Sequence, residues 1–176
     1  MTTDFSVPNY VAAHPTFAHA IDTASFQKII TCGNGGSAYT ASHYITDWNK
    51  MCNLATGRKF RGLSLCDNIG LVTAFGNDLS YDDVFSGQLR ALLDEGDLLV
   101  AVSGSGNSPN VLHAVEHANE SGARTLAVVG YDGGKLKQIA QQSVWVPCFD
   151  MQLCEDVHLM FGHMVMKTLC RLNLKY

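Results

Sequence analysis

Short apolar runs alternate along the chain with longer stretches in which apolar residues recur every three or four positions. Lys28–Cys32, Phe60–Leu65, Leu98–Val102, Thr125–Val129 and Val144–Val146 read as five strands. Between them, helices are expected from Ala38 to about Lys50, over Asn68–Phe75, over Tyr81–Leu93, from Asn110 to about Ser121, over Lys135–Gln141, and from about Leu153 to Leu172. Gly76-Asn77-Asp78 reads as the turn that closes the second helix. The last helix carries Leu153, Val157, Met160, Phe161, Met164 and Leu169 on one broad face. Strands that are continuous apolar runs, each followed by a helix, imply a parallel sheet covered on both faces with right-handed crossovers. The expected fold is therefore α/β: a three-layer αβα domain around a five-stranded parallel sheet, spanning residues 28–176. Residues 1–27 read as an N-terminal extension in which Phe17–Ile21 forms a short helix, bounded by Pro8 and Pro15.

Composition narrows the class. A chain of 176 residues with 47% hydrophobic content suits one domain with a real core. The net charge of −4 and the absence of any basic run exclude a nucleic-acid surface. Every apolar stretch is broken by Gly, Asp or Ser, which argues against a membrane span. MTTDFSVPNY lacks the basic head and apolar run of a secretory signal, so a cytoplasmic location is expected. The six cysteines include no C-x-x-C pair and read as reduced thiols.

Ser103-Gly104-Ser105-Gly106-Asn107-Ser108-Pro109 directly follows the third strand. Pro109 suits the first turn of a helix, whose free N–H groups and partial positive charge favour an anion. Three serine hydroxyls add donors, and no lysine is present to make a Walker A loop. A lone loop of this kind is more often an ordinary βα turn with a serine cap; the three converging serines favour phosphate. Gly33-Asn34-Gly35-Gly36-Ser37 occupies the same context after the first strand and does not fit the dinucleotide fingerprint. Two such loops point to one shared crevice.

His43 and Asp47 lie four apart on a helix, and Glu155, Asp156, His158 and His163 fall around the start of the last helix. A histidine and a carboxylate from each helix make a four-ligand zinc site, although each pair alone is more often a surface ion pair or a cap. In a continuous helix Glu155 and His163 are about 12 Å apart in rise. They serve one ion only if Glu155 precedes the regular helix or stretches toward it; otherwise they serve sites completed by different subunits. Met151, Met160, Met164, Met166 and Trp145 read as packing, and His14, His19, His113 and His117 carry no assigned role.

GNGGSA, the H-x-x-x-acid that follows it, GND with Tyr81 and Phe85 behind it, SGSGNSPNVL and E-D-V-H-x-x-x-x-H together resemble the phosphoheptose isomerases, which are sugar isomerase (SIS) domain proteins. The resemblance runs from about Lys28 to the C-terminus. It implies an aldose–ketose isomerase acting on sedoheptulose 7-phosphate, with Asp47 as base and His163 as acid. It implies one zinc per subunit on His43, Asp47, Glu155 and His163. Substrate contacts would fall on Asn34, Gly35, Gly36, Ser37, Asp47, Asn77, Asp78, Ser103, Gly104, Ser105, Ser108 and Glu155, in a homo-oligomer, tetramer or dimer, with shared active sites. The chain departs from the family at Asp47, usually glutamate, at Glu155, usually glutamine, and at Gly104, usually threonine. Lys50, Arg58 and Arg61 are candidates for the family's sugar-contacting arginine. The alternative is a non-catalytic SIS protein that senses sugar phosphates or binds the bacterial replication initiator; the retained ionisable set favours an enzyme. A phosphosugar lyase or etherase has only the shared fold in its favour.

Overall fold

In the computed structural model, which describes residues 28–57 and 59–172, each short apolar run becomes a strand. These are β1 (Ile29–Gly33), β2 (Gly62–Ser64), β3 (Leu98–Ser103), β4 (Arg124–Val129) and β5 (Gln142–Trp145). They form one sheet in the order β2-β1-β3-β4-β5, with every neighbouring pair parallel. Every residue of β1 and β3 is buried, as continuous apolar strands between two helical layers require.

Side chains alternate between two cores. Ile29, Val100, Val102, Leu126 and Val128 face one, against α1 (Gly36–Asp47) and the long α7 (Met151–Leu172). Ile30, Cys32, Leu99, Ala101, Ala127 and Val129 face the other. That side is covered by α4 (Ser86–Leu92), α5 (Pro109–Glu120) and α6 (Leu136–Ile139). The three-layer α/β reading therefore holds.

Boundaries differ where backbone bonding outvotes hydropathy. α1 starts earlier than expected and continues through a π-helical turn, Trp48–Cys52, into α2 (Asn53–Thr56), which ends at Gly57 with φ 70°. The expected strand Phe60–Leu65 shrinks to β2. Polar Gln142 and Ser143 join β5 because they pair with Leu126 and Ala127. The expected helix Tyr81–Leu93 splits into a 3-10 turn, Tyr81–Asp83, capped by Ser80, and then α4. Asn68 caps α3 (Ile69–Asp78) by accepting a bond from Leu71 N at 3.1 Å. Gly76, Asn77 and Asp78 lie inside its last turn rather than closing it. No residue of α3 is buried, although Ile69 and Leu71 are among its side chains. The expected helix Phe17–Ile21 lies outside the described residues. Among those described, no helix is long and apolar enough to cross a membrane.

Because β1 connects outward to β2 while β3 continues toward β4 and β5, the order reverses between β1 and β3. Gly33 is in register with Val102, so the loops leaving these strands stand side by side at the sheet's carboxyl edge. Open α/β sheets bind ligands at such a switch point.

Candidate active site

The loop after β3 carries three serine hydroxyls at the start of α5. Gly106 adopts φ 65°, and its N–H donates to the Ser103 Oγ at 3.1 Å. Asn107 N donates to Ser105 Oγ at 3.3 Å. Both hydroxyl oxygens are acceptors there, which leaves their protons for a ligand. Ser108 occupies the N-cap of α5 with Pro109 behind it, as expected, yet its side chain makes no capping bond. Its hydroxyl therefore remains available at the positive end of the helix.

A second glycine-rich turn, which the sequence reading did not single out, braces this loop. Gly130 N donates to Gly104 O at 3.0 Å, Leu136 N to Gly106 O at 2.9 Å and Lys135 N to Asn107 Oδ1 at 3.0 Å. A Cβ on Gly106 would fall 2.1 Å from the Gly133 carbonyl oxygen, so the two turns fit only as glycine on backbone. Gly130 directly after the strand, with Gly133-Gly134 three residues on, was the available signal.

Gly104 has its own partner. A Cβ there would lie 2.5 Å from Met151 Sδ, so Met151 fills the space a threonine would need. Met151 thus belongs to the loop's wall, not to the general core, and Met160 is exposed rather than packed. Trp145 also departs from its packing assignment. It lies at the surface with the Lys137 ammonium 3.2 Å from its ring centroid, and its indole N–H donates to Tyr131 O.

The loop after β1 is different. Gly35 has φ 53°, Ser37 is buried in the first turn of α1, and a Cβ on Gly36 would fall 2.3 Å from Glu155 Oε1. A carboxylate from α7 thus already stands at the start of α1, where a negative charge is favoured. The two glycine-rich loops therefore differ in charge: the loop after β1 has the Glu155 carboxylate beside Gly36, and the serine loop has hydroxyls and a helix start. Asn34 projects from this loop and is bonded to Asn110 and Tyr81. Asn77 and Asp78 are exposed and bond to each other at 2.8 Å.

α1 and α7 bring three ionisable side chains together. His43 Nε2 and His163 Nε2 are 3.0 Å apart, and each lies 3.6 Å from Asp47 Oδ2. A point equidistant from these atoms sits about 2 Å from each, the length of a zinc–nitrogen or zinc–oxygen bond. Two imidazoles and one carboxylate, partly exposed, form the donor set of a zinc site with an open position. The residues therefore fit a zinc ion.

Glu155, expected as fourth ligand, is not in this group. It lies within continuous α7 rather than ahead of it, about 12 Å in rise from His163, and its carboxylate stands beside Gly36. Asp156 is exposed. His158 points inward: it is 1% exposed, and among the described residues neither ring nitrogen has a partner within hydrogen-bond geometry. Burial holds its pKa below the ordinary value, with the nearby Val129 backbone acting in the opposite direction. Burial pushes the Cys52 thiol up to about 12, helped by its neighbour Cys170 and then by Asp47. Cys52 is thereby kept as an inert thiol beside the cluster. Lys50 and Arg61 are exposed, and Arg58 lies outside the described residues.

The SIS domain family model matches residues 12–130, reaching back into the segment read as an extension. The phosphoheptose isomerase of Aliarcobacter butzleri is 37% identical over 145 residues, 82% of this chain and 74% of that protein. That of Helicobacter pylori strain Shi470 is 38% identical over 138 residues, 78% of this chain and 71% of that protein. Among solved structures, the phosphoheptose isomerase of Neisseria gonorrhoeae matches with a TM-score of 0.78 at 31% identity. The match covers 93% of this chain and 88% of that one.

Proposed function

The chain belongs to the SIS-domain family, among its phosphoheptose isomerases, and from that premise we propose that it converts sedoheptulose 7-phosphate to D-glycero-D-manno-heptose 7-phosphate through an enediolate. The observation that carries this reading is the His43–Asp47–His163 triangle, which a protein that only bound a phosphosugar would not need.

The phosphate sits on the serine loop, where Ser103, Ser105 and Ser108 donate hydroxyl protons at the start of α5. Gly104 lets the backbone approach it. Asn34, Gly35, Gly36 and Ser37 line the sugar chain, with Asn77 and Asp78 at its outer side. Glu155, at Gly36, accepts from sugar hydroxyls. It takes the place of a neutral glutamine in the family, so it selects for donors.

Asp47 removes the proton from C-1 of the ketose. Its Oδ2 faces both imidazoles, so Oδ1 is the oxygen that takes the proton. His163, whose Nε2 faces the metal position, supplies the proton to the C-2 carbonyl oxygen from Nδ1 as the enediol forms. O-1 then returns a proton to His163 while Asp47 delivers its proton to C-2, which completes the aldose. His43, Asp47 and His163 hold one zinc ion per subunit, which when bound polarises the carbonyl. Aspartate in place of the family's glutamate is one methylene shorter, so the base is held closer to the backbone of α1.

The partner reading is a homo-oligomer, a dimer or tetramer, in which subunits complete one another's sites. It is supported by α3, an apolar helix with no buried residue in the single chain. A cytoplasmic setting suits six cysteines that are all unpaired. Incubating the purified protein with sedoheptulose 7-phosphate, with and without zinc, tests the proposal. Aldose formation is expected, and no turnover under either condition would sink it.

A further inference from the structure

The loop after β1 and the first turn of α5 are joined by one side-chain pair whose partners lie 76 residues apart. Asn34 Nδ2 donates to Asn110 Oδ1 at 2.8 Å, and Asn110 Nδ2 donates back to Asn34 Oδ1 at 2.9 Å. Asn110 is 2% exposed, so this reciprocal pair is sheltered from water. The Tyr81 hydroxyl, on the turn after α3, donates to the same Asn34 Oδ1 at 3.0 Å.

A side-chain amide has two acceptor positions on oxygen and two N–H donors. Both acceptor positions of Asn34 are taken, one by Asn110 and one by Tyr81, and one of its donors is taken by Asn110. A single N–H remains. Turning the Asn34 amide over by itself would set its NH₂ against Asn110 Nδ2 and its oxygen against Asn110 Oδ1, breaking both bonds of the pair.

We propose that Asn110 and Tyr81 are positioning residues for the isomerase reaction, which lock the Asn34 amide so that it meets the sugar phosphate as a hydrogen-bond donor only, to a carbonyl or hydroxyl oxygen of the sugar chain. The proposal deepens the isomerase reading and rests on it. It makes substrate recognition at Asn34 depend on two residues that need not touch substrate: Asn110 is buried, and Tyr81 acts through its hydroxyl.

A double-mutant cycle tests this, with kcat and KM for sedoheptulose 7-phosphate read beside the melting temperature. Asn110→Ala raises KM by about tenfold and Tyr81→Phe by roughly three- to tenfold, while kcat stays within about threefold. In an Asn34→Ala background neither substitution raises KM further. A merely structural latch would lower the melting temperature and leave KM alone, or add its effect undiminished in the Asn34→Ala background. Either result overturns the proposal. Should Asn110→Ala not fold, Tyr81→Phe, which deletes one hydroxyl from an exposed ring, carries the same cycle. Should the parent chain fail to turn the sugar over, the isomerase reading falls, and the cycle is read on the calorimetric Kd for sedoheptulose 7-phosphate. A parent chain that neither converts nor binds it overturns both.

Discussion

Tyr44 packs against Gly162 so closely that a Cβ on the glycine would fall 2.2 Å from two atoms of the ring. Tyr44 follows His43 in α1 and Gly162 precedes His163 in α7, so this contact sets how near the two histidines come. Tyr44 stacks on Trp48 with centroids 4.9 Å apart, and the Trp48 indole N–H donates to Gly162 O at 3.1 Å. The Tyr44 hydroxyl donates to the His158 carbonyl. A fully buried ring has nowhere to retreat. Gly162→Ala is therefore expected to destabilise the chain by about 1–3 kcal/mol through overpacking. It should also weaken zinc binding by separating His43 from His163. Urea midpoints and zinc titration check both effects; an unchanged midpoint would contradict this account of the helix contact.

The unused hydroxyl of Ser108 separates binding from folding. Removing an N-cap hydroxyl usually costs about 1 kcal/mol, but this one makes no capping bond. Ser108→Ala should leave stability within about 0.5 kcal/mol of the parent and raise KM by roughly tenfold through a lost bond to phosphate. Thermal melts beside steady-state kinetics measure the two. A loss of stability with KM unchanged would make the hydroxyl a cap after all.

Zinc binding should follow the triangle and not the four-residue set. Equilibrium dialysis with elemental analysis is expected to find one zinc per chain. His43→Ala and His163→Ala should each abolish it, and Glu155→Gln should keep it, because Glu155 stands at Gly36 outside the group. Loss of zinc in Glu155→Gln would restore Glu155 as a ligand.

His158 ties stability to pH. Burial depresses its folded-state pKa below the ordinary 6.5 or so of the unfolded chain, so the unfolded state binds the proton more readily. The neutral ring's contribution is complete above about pH 7 and declines as pH falls below the unfolded value. The melting temperature of the parent should fall between pH 7 and pH 5, and His158→Leu should fall less over the same interval. Equal slopes would remove His158 as the cause.

Much of this was legible in the residues. Continuous apolar runs such as Leu98–Val102, alternating with helical stretches, read as interior parallel strands, and the serine loop with Pro109 behind it announces a helix start. His43 and Asp47 share a face by spacing alone. Proximities set by tertiary packing were hidden. No local pattern says that Glu155 reaches Gly36, that Met151 fills the space beside Gly104, or that Asn110 pairs with Asn34. The π-helical turn directly after Asp47, of a kind often found near functional sites, has no simple sequence signal in Trp48–Cys52. β5 was misplaced because pairing, not side-chain hydropathy, defines an edge strand.

The central claim is that Asp47 carries the proton in an aldose–ketose exchange. Sedoheptulose 7-phosphate in deuterated buffer, followed by proton NMR with the zinc-loaded parent and with Asp47→Asn, tests it most directly. The parent is predicted to form aldose while the C-1 proton signal of the ketose is lost to solvent, and Asp47→Asn to be slower by a factor of about a thousand or more. Conversion by Asp47→Asn at the parent's rate would contradict the account.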